Sequence, residues 1–584
     1  MNVAKLIYNK LLQHKVTDAF IYTGGAIMPL IDCFYKQNQR DKINYFINTH
    51  EQSAGHAATA YARVTGKPGI SIMTSGPGVT NSLTALTDAT NDSTPLILFT
   101  GNVPLSAIGT NAFQECPATE ISKPVTKWSY RIQHVNEASH VIDEAFRISQ
   151  EGKPGSVHID IPKCILTSIW RESTNNKNLS DIHMINNYNN KYIRRGFYDI
   201  NHKRLIEEKI SKAKRPIILV GQGCNNYSKE LREFAISSNI PVTTTLHAVG
   251  VFDEMHKLSL GFLGMHGSVA ANYSIQNADL IIALGTRFDD RITGKISVFA
   301  PEAFKAYKEN RGGIIHVNIN HNEIGNIIDT HYNFKMDCGE FLEHIVTRYQ
   351  ERKKWFNCIS KWMWKYDFTY KKVERLKTQE VISAINKKLL TKSDYIVTSG
   401  VGNHQMMAAQ FIKWRYPKSF ITSGSLGVMG VGLPFAIGSQ IAYPNKLVLD
   451  IDGDGSFNHT LSELKTVENY GLPIKIAIMN DGHFSMVKTW EELFFHKRYT
   501  ATNLNKNPDY IKLAEAYGIK AISCNSREDL DNKIDELLDY KGAILCDFKV
   551  ETDKCLPLVV PGEALDNILI DDKNIDLENI EVPN

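Results

Sequence analysis

The stretch VLDIDGDGSF, residues 448–457, begins as an apolar run and ends in alternating aspartates and glycines. A short apolar run that stops at glycine is typical of a strand buried on both faces of a parallel sheet. Asp450, Asp452 and Asp454 are close together in it, and like charges at such spacing repel one another. We therefore expect a positive group among these carboxylates, or at least beside Asp454.

The residues that follow complete a βαβ unit. LSELKTVENYG (461–471) has a helical apolar pattern that ends at glycine, and IKIAIMN (474–480) has the composition of the next strand. The two strands are then parallel, and their carboxyl ends lie at the same edge of the sheet. In α/β proteins ligands bind at that edge. Asp454 is therefore predicted to lie close to Asn480 and Asp481.

This edge is predicted to hold a metal ion and a diphosphate. Mg²⁺ prefers one or two carboxylates together with phosphate oxygens. Asp454 and Asp481 would supply the carboxylates. Gly453 and Gly455 would let the backbone approach a phosphate closely. The alternative is that the aspartates only form turns and cap helices. For the GDG stretch alone the two interpretations are balanced, and the Asn-Asp pair after the next strand favours the metal site.

The rest of the chain shows the same alternation of strands and helices in three blocks. We predict α/β domains at residues 1–165, 198–345 and 376–550. A linker at 166–197 and a connector at 346–375 would join them, and a tail would occupy 551–584. The tail is acidic after about residue 563 and shows no clear periodicity, so we expect partial disorder there.

Composition limits the class of protein. A chain of 584 residues is too long for one core, and its net charge of +3 gives no footprint of nucleic-acid binding. No apolar run is long enough to predict a membrane span. Nine scattered cysteines without a CxxC motif indicate reduced thiols and no zinc ribbon. The first residues predict an amphipathic helix rather than a signal or transit peptide, so we expect a cytoplasmic location.

Motifs along the chain resemble one family. The GDG and Asn-Asp pair are similar to the thiamine diphosphate signature. HEQSAGHAATAYARVTGKPG, TSGPGVTNSLTAL, LGMHGSVAANY, GTRFDDRITGK, GVGNHQMMAAQF and MVKTWEELFF occur with it in order. This set resembles the catalytic subunit of acetohydroxyacid (acetolactate) synthase up to about residue 565. The resemblance implies three doubly wound parallel-sheet α/β domains, which bind the pyrimidine, FAD, and the diphosphate with Mg²⁺.

The resemblance also implies roles at the reacting centre. Glu51 would hydrogen-bond the aminopyrimidine ring of the cofactor, whose own nitrogen then removes the thiazolium proton. Gly25 and Gln114 would donate hydrogen bonds to an alkoxide. Lys127 would attract anionic substrates at the channel entrance, and Trp490 would shape the acceptor pocket.

For three of the candidate residues a purely structural role is the alternative: helix capping for Glu51, core packing for Met429 and helix anchoring for Trp490. Further positions match the family by resemblance alone. The matched positions are Gly402, Asn403, His404, Gln405, Gly427, Met429, Gly455, Ser456 and Met486 for thiamine diphosphate; Asp454, Asp481 and the backbone of His483 for Mg²⁺; and Pro104, Phe113, Met265 and Trp490 for the substrate funnel.

The central block implies FAD in a structural role. The matched positions are Lys153, Gly221, Gly223, Met265, His266, Gly285, Arg287, Asp289, Arg291, Glu323 and Asp337. The chain departs from the family pattern at several positions. Some of these positions would contact FAD, so the sequence does not decide how tightly FAD binds. The departures are Lys153 for Arg, Gln222 for Gly, His247 for Met, Asn318 and Asn320 for Asp, Ser425 for Gly, Asp481 for Asn and Asn111 for Asp.

The function implied is the condensation of pyruvate with a second pyruvate or 2-ketobutyrate, with loss of CO₂, in branched-chain amino-acid synthesis. The family builds its active site between the first domain of one chain and the third domain of another, which implies a homodimer or homotetramer. Whether a small regulatory subunit is a further partner is left open by the sequence, and no nucleic acid or membrane is implied. Two alternatives remain: another thiamine diphosphate lyase or oxidase, and a non-catalytic paralogue. Glu51, Gln114 and Asp454 favour an enzyme.

Overall fold

The computed structural model describes residues 1–35, 42–171, 200–504, 506–570 and 573–574. Three parallel sheets follow one another along these residues, so the predicted α/β class is confirmed. Most of the predicted linker lies outside the described residues. No helix within the described ranges is both long enough and apolar enough to cross a membrane.

The first sheet has six parallel strands in the order β2-β1-β3-β4-β6-β5. Its central strands are buried along their whole length, as their apolar sequences require. The strands are β1 Asp18–Ile21, β2 Asn44–Ile47, β3 Gly69–Met73, β4 Leu96–Asn102, β5 Trp128–Arg131 and β6 Ser156–Pro162. The helices are Val3–Gln13, Met28–Asp32, Glu51–Thr65, Pro77–Asn91, Ala118–Ser122, Ala138–Gln150 and Lys163–Thr167.

The second sheet is also parallel, in the order β12-β11-β10-β7-β8-β9. Its strands are β7 Pro216–Val220, β8 Val242–Thr244, β9 Ser259–Phe262, β10 Leu280–Leu284, β11 Gly313–Val317 and β12 Tyr332–Phe334. The helices are Ile200–Lys212, Ser228–Ser238, Val269–Asn277, Asp290–Thr293, Pro301–Lys308 and Cys338–His344, with Lys353–Lys365 in the connector.

The third sheet contains the stretch quoted first. Its order is β13-β19-β17-β16-β14-β15, with β18 paired to β19. The predicted βαβ unit is confirmed, because β16 and β17 pair in parallel. The strands are β13 Leu376–Lys377, β14 Tyr395–Ser399, β15 Phe420–Ile421, β16 Leu447–Gly453, β17 Lys475–Asn480, β18 Lys520–Cys524 and β19 Ile544–Glu551. The helices are Thr378–Leu389, Asn403–Phe411, Gly432–Ala442, Asp454–Phe457, Leu464–Asn469, Ser485–Phe494, Tyr510–Ala516 and Leu530–Asp539.

The tail, for which the sequence predicts partial disorder, contains an ordered segment. Strands β20 Leu558–Val559, β21 Ile568–Ile570 and β22 Lys573–Asn574 form a small antiparallel sheet. Val559, Leu565 and Ile568 are buried in the apolar core of the second domain. The Val559 N–H also donates to the Met265 carbonyl at 2.8 Å. Burial of these apolar side chains orders a segment whose sequence shows no periodicity.

The first and third domains pack directly on each other. Helix Glu51–Thr65 and helix Gly432–Ala442 share one apolar core. A Cβ added to Gly438 would lie within 3.0 Å of the Ala57 backbone, so the two helices approach at a glycine. This contact fixes the start of helix Glu51–Thr65 relative to the third sheet.

Candidate functional site

The structure brings Asp454 and Asp481 together at the carboxyl edge of the third sheet. Asp454 follows β16, and its Oδ2 accepts from Gly482 N at 2.7 Å. Asp481 follows β17, and its Oδ1 accepts from His483 N at 3.0 Å. Burial and the charge of Asp481 raise the pKa of Asp454 to about 6, and burial raises the pKa of Asp481. A buried carboxylate whose ionisation is opposed by a half-buried carboxylate beside it is suited to share a cation with that neighbour.

The side chains of Asn507 and Ser485 donate hydrogen bonds to these two carboxylates, and the sequence analysis did not identify either residue. Asn507 Nδ2 donates to Asp454 Oδ2 at 2.6 Å and to Asn480 Oδ1 at 3.1 Å. Ser485 Oγ donates to Asp481 Oδ2. Among the described residues, no cluster of three or more His, Cys, Asp or Glu side chains is arranged for a metal ion. A cation held here would therefore need further oxygen ligands, such as phosphate.

Asp450 and Asp452 belong to a different environment from Asp454. Both are fully buried on β16, and Thr398 Oγ1 donates to Asp450 Oδ1 at 3.0 Å. Burial and the neighbouring Asp452 raise the pKa of Asp450 well above its usual value. His404 Nε2 lies 3.2 Å from Asp452 Oδ1. The raised pKa of Asp450 favours its protonated form, which lessens the repulsion between Asp450 and Asp452 that the sequence indicates.

The predicted diphosphate segments lie at the same edge. Gly402, Asn403 and His404 follow β14 and begin helix Asn403–Phe411. A Cβ on Gly453 would lie within 3.0 Å of the His404 ring, and one on Gly455 would lie equally close to Phe484. Glycine is therefore required at both positions, because the His404 and Phe484 rings pack directly against the backbone of the GDG stretch.

The loop after β15 lies on the same edge and carries further matched positions. Gly430 N donates to Ser456 Oγ at 2.9 Å, which joins this loop to the GDG stretch. Gly427 has φ +73° and is exposed, and Met429 is half-buried. Gln405 Nε2 donates to Thr422 Oγ1 at 2.8 Å.

Trp490, which is predicted to shape the substrate pocket, lies on the helix that starts beside Asp481. Met486 and Trp490 both lie on helix Ser485–Phe494 and are half-buried. The Trp490 ring packs edge to face on Phe494, with 5.7 Å between ring centroids. The anchoring alternative and the pocket prediction are both compatible with this position.

The first-domain candidates form a second group at the carboxyl ends of β1, β2 and β4. Glu51 is buried at the first turn of its helix, and its Oε2 accepts from Asn81 Nδ2 at 3.0 Å. Gly25 is exposed, and Gln114 adopts a left-handed φ of +61°. Phe113 is 89% exposed, and Pro104 is also exposed. Among the described residues of this single chain, no hydrogen bond joins Glu51 to Asp454 or Asp481.

Lys127, which the resemblance places at a channel entrance, contacts two backbone carbonyls. Its ammonium group donates to the carbonyls of Ile148 and Glu151, the latter at 2.7 Å. These carbonyls close the carboxyl end of helix Ala138–Gln150, where a cation is favourable. Burial lowers the pKa of Lys127 to about 8. In this chain Lys127 caps a helix, and its role in attracting anionic substrates stays a prediction.

The predicted FAD positions mostly gather at the carboxyl edge of the second sheet. Gly285 follows β10 with φ +62°, and a Cβ on it would lie within 3.0 Å of Gly223. Gly221 and Gly223 follow β7, Met265 and His266 follow β9, Arg287, Asp289 and Arg291 follow β10, Glu323 follows β11 and Asp337 follows β12. Lys153 of the first domain reaches this edge by an ion pair with Glu323 at 3.0 Å.

Arg287 joins three domains. Its guanidinium donates to the Asn91 carbonyl of the first domain at 2.8 Å and to Ser425 Oγ of the third domain at 2.7 Å. Nearby, His247 Nε2 lies 3.1 Å from the buried Asp92 carboxylate. Two departures from the family pattern, His247 and Ser425, are thus engaged in contacts between domains.

The remaining FAD candidates have partners within the protein. Burial lowers the pKa of His266 to about 4, so its ring is neutral near pH 7. Asp337 accepts from Gly339 N at 2.8 Å and caps helix Cys338–His344. Arg291 contacts the Met265 sulfur, and Asp289 accepts from Arg287 at 3.2 Å.

Comparison with known proteins gives three family matches in the order of the three sheets. Residues 1–121 match the thiamine pyrophosphate enzyme N-terminal TPP binding domain. Residues 204–345 match the thiamine pyrophosphate enzyme central domain, and residues 400–548 match the C-terminal TPP binding domain.

Curated relatives match almost the whole chain. The acetolactate synthase catalytic subunit, mitochondrial, of Saccharomyces cerevisiae is 42% identical over 99% of this chain and 85% of its own length. The acetolactate synthase large subunit of Cyanidium caldarium is 37% identical over 96% of both chains. Acetolactate synthase 2, chloroplastic, of Nicotiana tabacum is 36% identical over 95% of this chain and 83% of its own length.

Proposed function

The chain belongs to the acetolactate synthase catalytic subunits, which are thiamine pyrophosphate enzymes, and from this premise we propose how its own residues serve that function. The protein is an acetolactate synthase of branched-chain amino-acid biosynthesis, and its substrates are 2-keto acids. The observation that carries the site assignment is the pairing of the buried Asp454 with the half-buried Asp481 at the carboxyl edge of the third sheet.

We propose that Asp454 and Asp481 hold Mg²⁺ against the diphosphate of thiamine diphosphate. The pair offers hard oxygen ligands, which suit Mg²⁺ when phosphate oxygens complete its coordination. Gly402, Asn403 and His404 would hold the diphosphate at the start of their helix, where backbone N–H groups favour an anion. Asn403 Oδ1 is buried without a hydrogen-bond partner, which leaves it available to accept from a bound group. When bound, the cofactor supplies a carbon acid that adds to 2-keto acids and accepts the electrons of the C–CO₂ bond.

Glu51 is proposed to hold a proton at the aminopyrimidine end of the cofactor. Its carboxylate is buried and accepts a hydrogen bond from the neutral amide of Asn81, and within the described part of the chain no ion pair neutralises it. Gly25 and Gln114 lie in loops of the same domain and would orient the substrate oxygen.

FAD binding is proposed for the carboxyl edge of the second sheet. The close contact of Gly221 and Gly223 with Gly285 removes side chains from this edge, and Arg287 and Arg291 supply charge for phosphate groups. The flavin absorbance of the purified protein tests this. Arg287→Ala should lower flavin occupancy, and an unchanged flavin spectrum would contradict the assignment.

A homodimer or homotetramer is proposed to complete the site. Exposed apolar side chains adjoin the candidate residues on both domains: Met28, Tyr45, Ile47 and Phe113 on the first, and Leu426 and Val487 on the third. Apolar surface beside a site suits cover by another protein surface. We also propose a small regulatory subunit as a partner, which co-purification with the native partner tests. A cytoplasmic location is proposed as well, and localisation of a tagged chain tests it.

The experiment is a product assay on the purified chain with pyruvate, thiamine diphosphate and Mg²⁺, with and without FAD. We expect acetolactate when all cofactors are present. Glu51→Gln should fold and bind the cofactor but lose most turnover, because an amide cannot exchange a proton. Near-normal turnover in this variant would overturn the role of Glu51. A product other than acetolactate would favour a different thiamine diphosphate lyase.

A further inference from the structure

Glu463 is a fully buried carboxylate of the third domain that binds the first domain. Its Oε1 accepts from Thr49 N at 3.0 Å and from Thr49 Oγ1 at 2.5 Å. Its Oε2 accepts from Asn48 Nδ2 at 2.9 Å and from Thr466 Oγ1 at 2.7 Å. Three of these four bonds cross the domain boundary. Each carboxylate oxygen therefore has two donors, and the charge is balanced by hydrogen bonds without a cation among them.

The segment held in this way leads directly into the helix of Glu51. Thr49 precedes the cap residue His50, and Glu51 is the first residue of the helix. The third domain holds this segment at two further points, because Ser462 Oγ lies 3.0 Å from Thr49 Oγ1 and Ile47 N donates to Tyr470 OH at 2.7 Å. The backbone of residues 47–49 is thus fixed to the third domain immediately before Glu51.

We propose that Glu463 is a positioning residue, which fixes Thr49 and thereby aims the Glu51 carboxylate at its working position. This inference rests on the function proposed for Glu51. Only a carboxylate suits the site, since four donors need two acceptor oxygens. Glutamine would turn its own N–H donors towards Asn48 or Thr49 and leave buried donors unpaired.

The test uses Glu463→Gln, Thr49→Val and a matched control, Thr59→Val. Thr49→Val removes the hydroxyl bond to Glu463 and keeps the backbone bond, so it remains informative if the glutamine variant folds poorly. Thr59 is a fully buried threonine on the same helix as Glu51, and its hydroxyl bonds only within that helix, to the Gly55 carbonyl. It therefore reports the cost of losing a buried hydroxyl without touching Glu463.

Two measurements separate positioning from a general loss of stability. In the cofactor-free protein, amide hydrogen exchange near residues 49–54 should rise about tenfold in Glu463→Gln and stay unchanged in Thr59→Val. In the holoenzyme, exchange of the cofactor C2 proton and kcat should fall together, about tenfold or more for Glu463→Gln and about threefold for Thr49→Val, with KM for pyruvate unchanged.

The outcomes distinguish this proposal from the one on which it rests. Glu51→Gln, measured in the same C2 exchange experiment, must be slow if Glu51 has its proposed role. If Glu51→Gln is slow while Glu463→Gln and Thr49→Val exchange at the wild-type rate, the positioning role is overturned. If Glu51→Gln exchanges at the wild-type rate, the function proposed for Glu51 fails first. A loss of thermal stability alone, equal in Thr49→Val and Thr59→Val, would also overturn positioning.

Discussion

At the scale of single residues, Asp454 carries the metal assignment. It is buried, it follows β16, and its neighbour Asp481 opposes its ionisation. Asp454→Ala removes a carboxylate that no nearby acid replaces at the same position, so Mg²⁺-dependent binding of thiamine diphosphate should be abolished. Titration of the cofactor with varied Mg²⁺ measures this, and unchanged affinity would refute the site. Asp481→Asn keeps an oxygen ligand and serves as the control, with a loss of threefold or less expected.

Glu254 provides a prediction of pH dependence away from the candidate site. Its Oε2 accepts from Trp414 N at 3.3 Å, and its Oε1 is buried without a partner. Burial raises its pKa to about 8. Because the folded protein holds this proton more tightly than the unfolded chain, the stabilisation is present at low pH and is lost as the pH rises towards about 8.

Glu254→Gln should therefore be as stable as the wild type near pH 5 and more stable at pH 9. Glutamine matches the protonated acid in shape and has no proton to lose. The difference should grow by at most about 1.4 kcal/mol per pH unit within the window. Thermal midpoints of both proteins across the pH range measure it, and a constant difference would show that Glu254 does not titrate in the folded state.

At the scale of elements, the contact between helices Glu51–Thr65 and Gly432–Ala442 holds the first and third domains together. Gly438→Val would place side-chain atoms against the Ala57 backbone, which cannot move without shifting the helix that starts at Glu51. We expect a loss of about 1–3 kcal/mol and a lower melting temperature. Ser439→Ala, which removes a buried hydroxyl without a partner and adds no volume, is the control and should be close to neutral. Equal stability of Gly438→Val and the wild type would show that the helices can separate.

The sequence predicts correctly those strands whose own residues determine both their conformation and their burial. β3, β4, β16 and β17 are apolar runs buried on both faces, and their burial follows from composition alone. Strands such as β2 and β18 escaped prediction because they are short or half-exposed and owe their order to a neighbouring strand. The tail strands escaped it because their apolar side chains complete a core built by another domain.

In the candidate site, too, the features set by local sequence could be predicted, and those set by distant residues could not. Asp454 and Asp481 follow adjacent strands of a βαβ unit, so the sequence places them together. Asn507 donates to Asp454, and Glu463 accepts from Thr49, across separations that no local pattern encodes. The helix carbonyls that bind the Lys127 ammonium group also could not be predicted, because a family motif does not report such contacts.

At the scale of the whole molecule, a buried charge network joins all three domains. Arg63 NH2 of the first domain lies 2.8 Å from Asp92 Oδ2, and His247 of the second domain lies 3.1 Å from the same atom. Gly424 N of the third domain donates to Asp92 at 3.0 Å. The arginine and histidine charges outweigh burial and hold the pKa of Asp92 well below its usual range. The three domains of one chain are therefore held together near this point.

The proposed shared active site makes a prediction that only an assembly can satisfy. Glu51→Gln and Asp454→Ala each disable one half of a site, in the first and third domains respectively. If each site takes Glu51 from one chain and Asp454 from its partner, a heterodimer of the two variants has one site with both defects and one with neither. Co-expression with two different tags and sequential affinity purification isolate this heterodimer. We expect about half of the wild-type activity from it and almost none from either homodimer. If instead each site lies within one chain, both sites of the heterodimer carry a defect, and an inactive heterodimer would overturn the shared site.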